Sequence, residues 1–264
     1  MDDIPCDVRL TGVSFTYPET EAQVFGDLSL SLPKGLVSLV GQNGTGKSTL
    51  LLLASARLYP TRGKVEILGR DSSELTDENE RNRYVSFIYQ NMEFETDESI
   101  GALMEFVYEH GFHATRDPGL IKVLTSVLEL SAVLNKKTQE VSKGELQRAI
   151  IAFSLLYGSR IIVMDEPIFA LEYQHKLQVM GFLKEYALER SLSIYFSVHE
   201  FEISRGFSDW VLLFYKDRSI RLGRTEEVLT RSRIEEAYEI PYGMLYRKEH
   251  LYREALNVRR TPMN

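Results

Sequence analysis

The chain has one cysteine, Cys6, among its 264 residues. An internal disulfide is therefore excluded, and a lone thiol fits a reducing compartment. Positive charge is also in deficit: 31 Lys and Arg stand against 38 Asp and Glu, for a formal net charge of -7. Nucleic-acid backbones demand a basic surface, so no nucleic-acid partner is expected. Long apolar runs are missing. The most apolar stretches, Ala149–Tyr157 and Trp210–Tyr215, fall far short of the ~20 residues that cross a bilayer. The start, Met1-Asp2-Asp3, is acidic and no apolar segment follows it, so no leader is expected. Internal repeats and low-complexity tracts are absent, and His110, His113, His175 and His250 sit at no metal-ligand spacing. They are expected on the surface.

What remains is a 44% hydrophobic chain, enough for one large domain, or one with a sub-lobe and a tail. Its densest signal is Gly41-Gln42-Asn43-Gly44-Thr45-Gly46-Lys47-Ser48-Thr49. This fits G-x-x-x-x-G-K-[ST], with a strand-like run (Leu36–Val40) before it and a helix-like run (Ser48–Arg57) after it. Glycines let the backbone approach a polyphosphate with no Cβ in the way. The amide N–H groups and the helix N-terminus then face negative charge. Lys47 is expected at the β- and γ-phosphates of a nucleoside triphosphate, and the Ser48 hydroxyl on Mg2+.

The remaining pattern is read around that loop. Val8, Leu10, Val13, Phe15 and Tyr17, then Leu28, Leu30 and Leu32, alternate as half-buried strands. Tyr17 precedes Pro18, which holds it extended; its ring suits an adenine or an ordinary strand edge. Strands are expected at Gly63–Leu68 and at Tyr84–Tyr89, the latter ending at Gln90. Helical runs follow at Ser99–His110 and Leu120–Leu134. Ser142 with Glu145 makes a capping box ahead of a helix over Leu146–Tyr157, and alone it signals only a helix start.

The uniformly apolar Ile161–Met164 suits a central parallel strand. Asp165 and Glu166 emerge at its C-terminal end, where ligands sit in open α/β sheets. There Asp165 suits Mg2+ and Glu166 suits orienting a water. A helix over Tyr173–Glu189 and a strand over Leu192–Ser197 lead to His199. Closing strands are expected at Asp209–Tyr215 and Ser219–Leu222.

Taken in order, these motifs resemble the ATP-binding subunit of ABC transporters over roughly Val8 to Leu229. Gly41–Thr49 match Walker A, Gln90 the Q-loop, and Val141–Glu145 the signature sequence. Ile161–Asp165 match Walker B, Glu166 the catalytic glutamate, His199 the switch histidine, and Tyr17 the adenine-stacking aromatic. The spacings agree, with 23 residues from Ser142 to Asp165 and 33 from Glu166 to His199.

The resemblance implies an α/β fold: a P-loop NTPase core with an N-terminal antiparallel β subdomain and an inserted helical subdomain. Residues 8–230 would form the ATP-binding domain, with the helical part at about 97–157, and residues 231–264 a C-terminal helical tail. It implies ATP hydrolysis with Glu166, His199 and Gln90 as catalytic residues. ATP would lie on Tyr17, Gly41, Asn43, Gly44, Thr45, Gly46, Lys47, Ser48 and Thr49, with Ser142, Gly144 and Glu145 supplied by a second copy. Ser48, Gln90 and Asp165 would hold Mg2+.

The implied partners are that second copy in a head-to-tail dimer, polytopic membrane permease subunits and an extracytoplasmic substrate-binding protein. The implied location is cytoplasmic, peripheral on the inner face of the membrane. The stretch Gly223–Pro241 further resembles importers of iron-siderophore, haem or cobalamin cargo; an exporter subunit or a non-transport mechanical ATPase is the alternative. Two departures stand out. Val-Ser-Lys-Gly-Glu replaces Leu-Ser-Gly-Gly-Gln, and Phe169-Ala170-Leu171-Glu172 replaces Ser-Ala-Leu-Asp.

Overall fold

The computed structural model describes residues 5–113 and 115–245. The tail cations Arg247, Lys248, Arg253, Arg259 and Arg260, and His250, lie outside them. Two long strands, β1 (Cys6–Thr16) and β2 (Gln23–Pro33), open the chain and pair antiparallel. The fully buried β3 (Leu36–Gly41) follows, then α1 (Lys47–Ala54), β4 (Arg62–Ile67) and β5 (Arg70–Asp71). After α2 (Glu78–Tyr84) and β6 (Val85–Ile88) come three helices: α3 (Ile100–His110), α4 (Leu120–Val127) and α5 (Lys143–Leu156). Next are β7 (Ile161–Met164), α6 (Tyr173–Arg190), β8 (Ser193–Ser197) and α7 (Phe201–Phe207). The sequence closes with β9 (Trp210–Phe214), β10 (Ile220–Arg224), α8 (Thr225–Val228) and α9 (Arg231–Tyr238).

The strands form a four-stranded antiparallel sheet, β2-β1-β4-β5, and a six-stranded sheet, β10-β9-β3-β8-β7-β6, parallel except at the β9–β10 edge. Successive side chains of a strand point to opposite faces, and the six-stranded sheet uses both. Val37, Leu39, Val163, Tyr195 and Leu212 pack with α1 and the antiparallel sheet. Leu36, Val40, Ile162, Met164, Ile194 and Phe196 pack with the helices. Strands covered on both faces read as continuous apolar runs, which is why Leu36–Val40 and Ile161–Met164 stood out in the sequence.

Two boundaries and the burial of one histidine differ from expectation. The helix expected over Leu120–Leu134 stops at Val127. Glu129 takes φ +51°, its N–H donates to Ser126 O (3.2 Å), and the Leu130 N–H donates to Thr125 O (2.9 Å). This is the two-bond helix stop that usually carries glycine. A glutamate at that position carries no stop signal in the sequence. Tyr84 ends α2 rather than starting a strand. None of α2's residues is buried, so it left no apolar period to detect. His113 is half-buried rather than on the surface, with its Nε2 at 2.5 Å from Leu156 O.

Arg148 of α5 is buried, and its Nε donates to Leu128 O (2.8 Å) at the end of α4. Removing a buried charged donor forfeits its bond and leaves the carbonyl unpaired. Arg148→Met, which keeps the apolar stem, is expected to lower stability by about 2 kcal/mol. The check is a lower urea midpoint at unchanged slope.

Candidate active site

The glycine-rich loop runs from the end of β3 to the start of α1, with Gly46 at φ +104°. A Cβ on Gly46 would lie 2.9 Å from the Phe25 ring, and one on Gly41 would lie 2.7 Å from Phe214 Cβ. Both positions thus exclude side chains sterically. Lys47 is buried, and its ammonium donates to Gly41 O (2.8 Å) and Gln42 O (2.9 Å). Burial pulls its pKa below the ordinary lysine value, while Glu166 and Asp165 oppose that shift by attraction. The Thr45 hydroxyl donates to Gln42 O (2.8 Å), tightening the loop. Outside the loop, Tyr17 sets its ring edge-on to Phe15 and its hydroxyl 3.1 Å from Thr49 Oγ1.

A cleft of about 330 Å³ is lined by Tyr17, Asn43, Gly44, Gly46, Lys47, Ser48, Thr49, Gln90 and Glu166. Residues from four separate segments therefore share one space. The acidic pair is held from beneath by β8. The Ser197 hydroxyl donates to Asp165 Oδ1 (2.5 Å) and accepts from the Glu166 N–H (2.8 Å). Asp165 in turn donates its own N–H to Ile88 O (2.9 Å) of β6. Glu166 adopts φ +50°, an uncommon backbone state for a non-glycine residue that clusters at functional sites. His199 Nε2 lies 2.8 Å from Glu166 Oε1. This hydrogen bond is the main reason that the Glu166 pKa lies below the usual carboxylate value; burial opposes it, while the charges of His199 and Lys47 and a hydrogen bond from Gln90 assist it.

Ser142, Gly144 and Glu145 do not line this cleft. They form the start of α5, where the Ser142 hydroxyl accepts from the Glu145 N–H (3.3 Å) and Glu145 Oε2 accepts from the Ser142 N–H (2.8 Å). That is the reciprocal capping box expected from the sequence. The two departures noted in the sequence take definite positions. Lys143 reaches Glu93 at 3.1 Å, an exposed pair joining the signature to the segment after Gln90. Glu172 precedes α6, and Phe169 in the same loop is 64% exposed.

Three residues of the site had escaped the sequence reading. Ser197 had no motif to mark it, since its role depends on the β7–β8 pairing. Gln42 points its amide away from the cleft and donates to Ala237 O (3.2 Å) and Tyr238 O (2.8 Å), capping α9. Arg218 lines the cleft from the β9–β10 turn, at φ +69°. An arginine in a tight turn gives no signal in one sequence.

Comparison with known proteins agrees with this geometry. The chain matches the family described as ABC transporter over residues 25–169. It is 28% identical over 221 residues to the petrobactin import ATP-binding protein YclP of Bacillus subtilis, covering 82% of this chain and 87% of that protein. Its fold is similar to the dimeric ATP-binding cassette MJ0796 in a post-hydrolysis state with ADP and Pi, at TM-score 0.71 and 23% identity, covering 83% and 98% of the two chains. It is also similar to cbiO1 from Clostridium perfringens, part of the ABC transporter complex cbiONQ, at TM-score 0.70 and 18% identity, covering 87% and 93%. With more than half of its length matched by that family, and with the glycine-rich loop, Gln90 and Glu166 folded around one cleft, the chain belongs to the ABC transporter family as an ATP-binding, ATP-hydrolysing subunit.

Proposed function

We propose that this subunit powers import of an iron chelate, haem, cobalamin or related metal cargo through separate membrane subunits, by closing on a second copy of itself around ATP. One observation carries the dimer: the phosphate loop, Gln90 and Glu166 share a cleft that Ser142 and Gly144 of the same chain do not line. A second copy placed head-to-tail supplies that missing wall. The exposed ring of Phe169 beside Glu172 supports a partner there. Among the described residues no helix is long and apolar enough to cross a membrane. Permease subunits then provide the pathway and hold this subunit at the inner face, with a substrate-binding protein delivering cargo. The name of the petrobactin import relative supports iron-chelate cargo.

In this reading ATP stacks its base on Tyr17, and its phosphates lie along Gly41–Thr49. Lys47 exchanges the loop carbonyls it now binds for the β- and γ-phosphates. Ser48, Asp165 and Gln90 offer the hard oxygen donors that Mg2+ takes beside phosphate oxygens, and the bound ion would neutralise phosphate charge. Glu166, kept ionised by His199 and Gln90, orients the attacking water and accepts its proton. His199 holds that carboxylate in place and is itself positioned toward the γ-phosphate. Loss of the γ-phosphate then loosens the dimer, and Gln90 and the helices that follow pass the motion to the membrane subunits.

Three measurements test this. Phosphate release and mass in solution, recorded with Mg-ATP, should show turnover in the wild type. Glu166→Gln should lose at least ~100-fold in rate, since general-base catalysis contributes 10²–10⁴-fold, yet accumulate as an ATP-dependent dimer. Lys47→Ala should lose ATP binding. Near-normal turnover in Glu166→Gln would reassign the base.

The second is a pH titration. A depressed folded pKa means that the stabilisation from the His199 contact is fully present above the ordinary value of about 4.3. It is lost as pH falls through the lower, folded-state midpoint. Carbon NMR of the Glu166 carboxyl should place the wild-type midpoint below ~4.3 and move it up in His199→Ala. An unmoved midpoint would remove His199 as the cause.

The third concerns Arg218. Arg218→Gly relieves the positive φ and deletes a cation from the cleft wall. Folding stability should rise or hold, while the KM for ATP should increase several-fold.

A further inference from the structure

A second cavity lies apart from the nucleotide cleft. It is a hollow of about 670 Å³ between α6, α7, α8 and the start of α9. Asp209 lines it, and the Asp209 carboxylate accepts from the Leu36 N–H (3.3 Å) at the N-terminal end of β3. The phosphate loop leaves the other end of that strand. The two sites are thus separated by the strand's length, about 17 Å at roughly 3.3 Å per residue. Nothing in the hydrolytic chemistry uses this hollow.

Four cations from four elements converge on it: Lys184, Arg205, Arg224 and Arg231, against the carboxylates of Asp209 and Glu226. A positive excess is unexpected in a chain of net charge -7. Two of the cations are already fixed: Arg205 donates to Leu229 O (2.7 Å) and to the Tyr242 hydroxyl (3.0 Å), and Arg231 pairs with Glu235 (3.2 Å). Arg224 is held by stacking, its guanidinium 4.1 Å from the centre of the Trp210 ring, which leaves its N–H donors to meet a ligand. Lys184 makes no ion pair among the described residues.

Ser208 lines the hollow, and its hydroxyl oxygen is buried with no hydrogen-bond partner among the described residues. Its backbone carbonyl is occupied by the Thr225 hydroxyl (2.7 Å). A buried, unsatisfied hydroxyl calls for a partner that the protein does not supply. The volume lies within the ~300–1,000 Å³ of small-molecule sites.

We propose that this hollow is a second ligand site, specific for a small molecule bearing a phosphate group. Arg224 and Lys184 take the phosphate oxygens, and the Ser208 hydroxyl, turned toward the hollow by rotation about its Cα–Cβ bond, donates the third contact. Arginine's planar fork and the compact lysine ammonium are the usual pair for that anion. The ligand would bridge α6 to α7, and α7 begins two residues after His199. Occupancy would therefore bear on the segment that carries the switch histidine.

The test is calorimetric titration of pyrophosphate into the full chain carrying Lys47→Ala, which weakens the phosphate loop as a competing site. One saturable site per chain is expected. Adding Lys184→Glu should weaken it at least tenfold, and adding Arg224→Gln several-fold. Lys122→Glu, an exposed charge reversal on α4, should leave affinity unchanged. No saturable binding would overturn the proposal. So would binding that survives both hollow substitutions, which would place it in the phosphate loop. An equal loss with Lys122→Glu would reduce it to general charge attraction.

Discussion

The hydroxyl of Ser197 is the interaction on which the geometry of the acidic pair depends. It donates a hydrogen bond to Asp165 and accepts one from the Glu166 N–H, so one hydroxyl fixes two adjacent residues. Glu166 can hold an uncommon backbone state because that N–H is satisfied; an unpaired buried donor would add its own cost to the strain. The hydroxyl stands there only because β8 lies beside β7 in parallel register, with Met164 opposite Phe196. The placement of Asp165 and Glu166 is therefore a property of strand order, set by the apolar residues of both strands.

Charge in the cleft is balanced rather than neutralised. Lys47 loses solvation on burial and recovers part of that loss from Glu166 and Asp165. Glu166 draws its stabilisation chiefly from His199. Each charged group thus leans on others, and in the proposed reading they change partners when a polyphosphate enters. Lys47 has two backbone carbonyls to release, and carbonyl bonds are weaker than those to phosphate.

The lysine in the signature sequence fits this economy of contacts. Lys143 turns outward to Glu93, so its charge is spent on an exposed pair of small energetic weight. The capping box of Ser142 and Glu145 keeps the start of α5 intact beside it. Gln42, by contrast, ties the phosphate loop to the end of α9. Movement of the loop and of the C-terminal helix is therefore linked through one amide.

Much of this protein was legible in its sequence because the responsible forces are local. The phosphate loop requires glycines where a Cβ would collide, so Gly41 and Gly46 mark it. Doubly covered strands require unbroken apolar runs, so Leu36–Val40 and Ile161–Met164 mark them. The capping box needs only four consecutive residues, Ser142 to Glu145. What the sequence could not display were effects between distant segments. The helix stop at Glu129 relies on Arg148 and local carbonyls rather than on glycine. Ser197, Arg218 and the Gln42–α9 bond acquire meaning only once β7–β8, β9–β10 and α9 are placed. The basic hollow likewise gathers Lys184, Arg205, Arg224 and Arg231 from four elements. Local sterics and periodicity are written along the chain; long-range hydrogen bonds and converging charges exist only in the folded sheet.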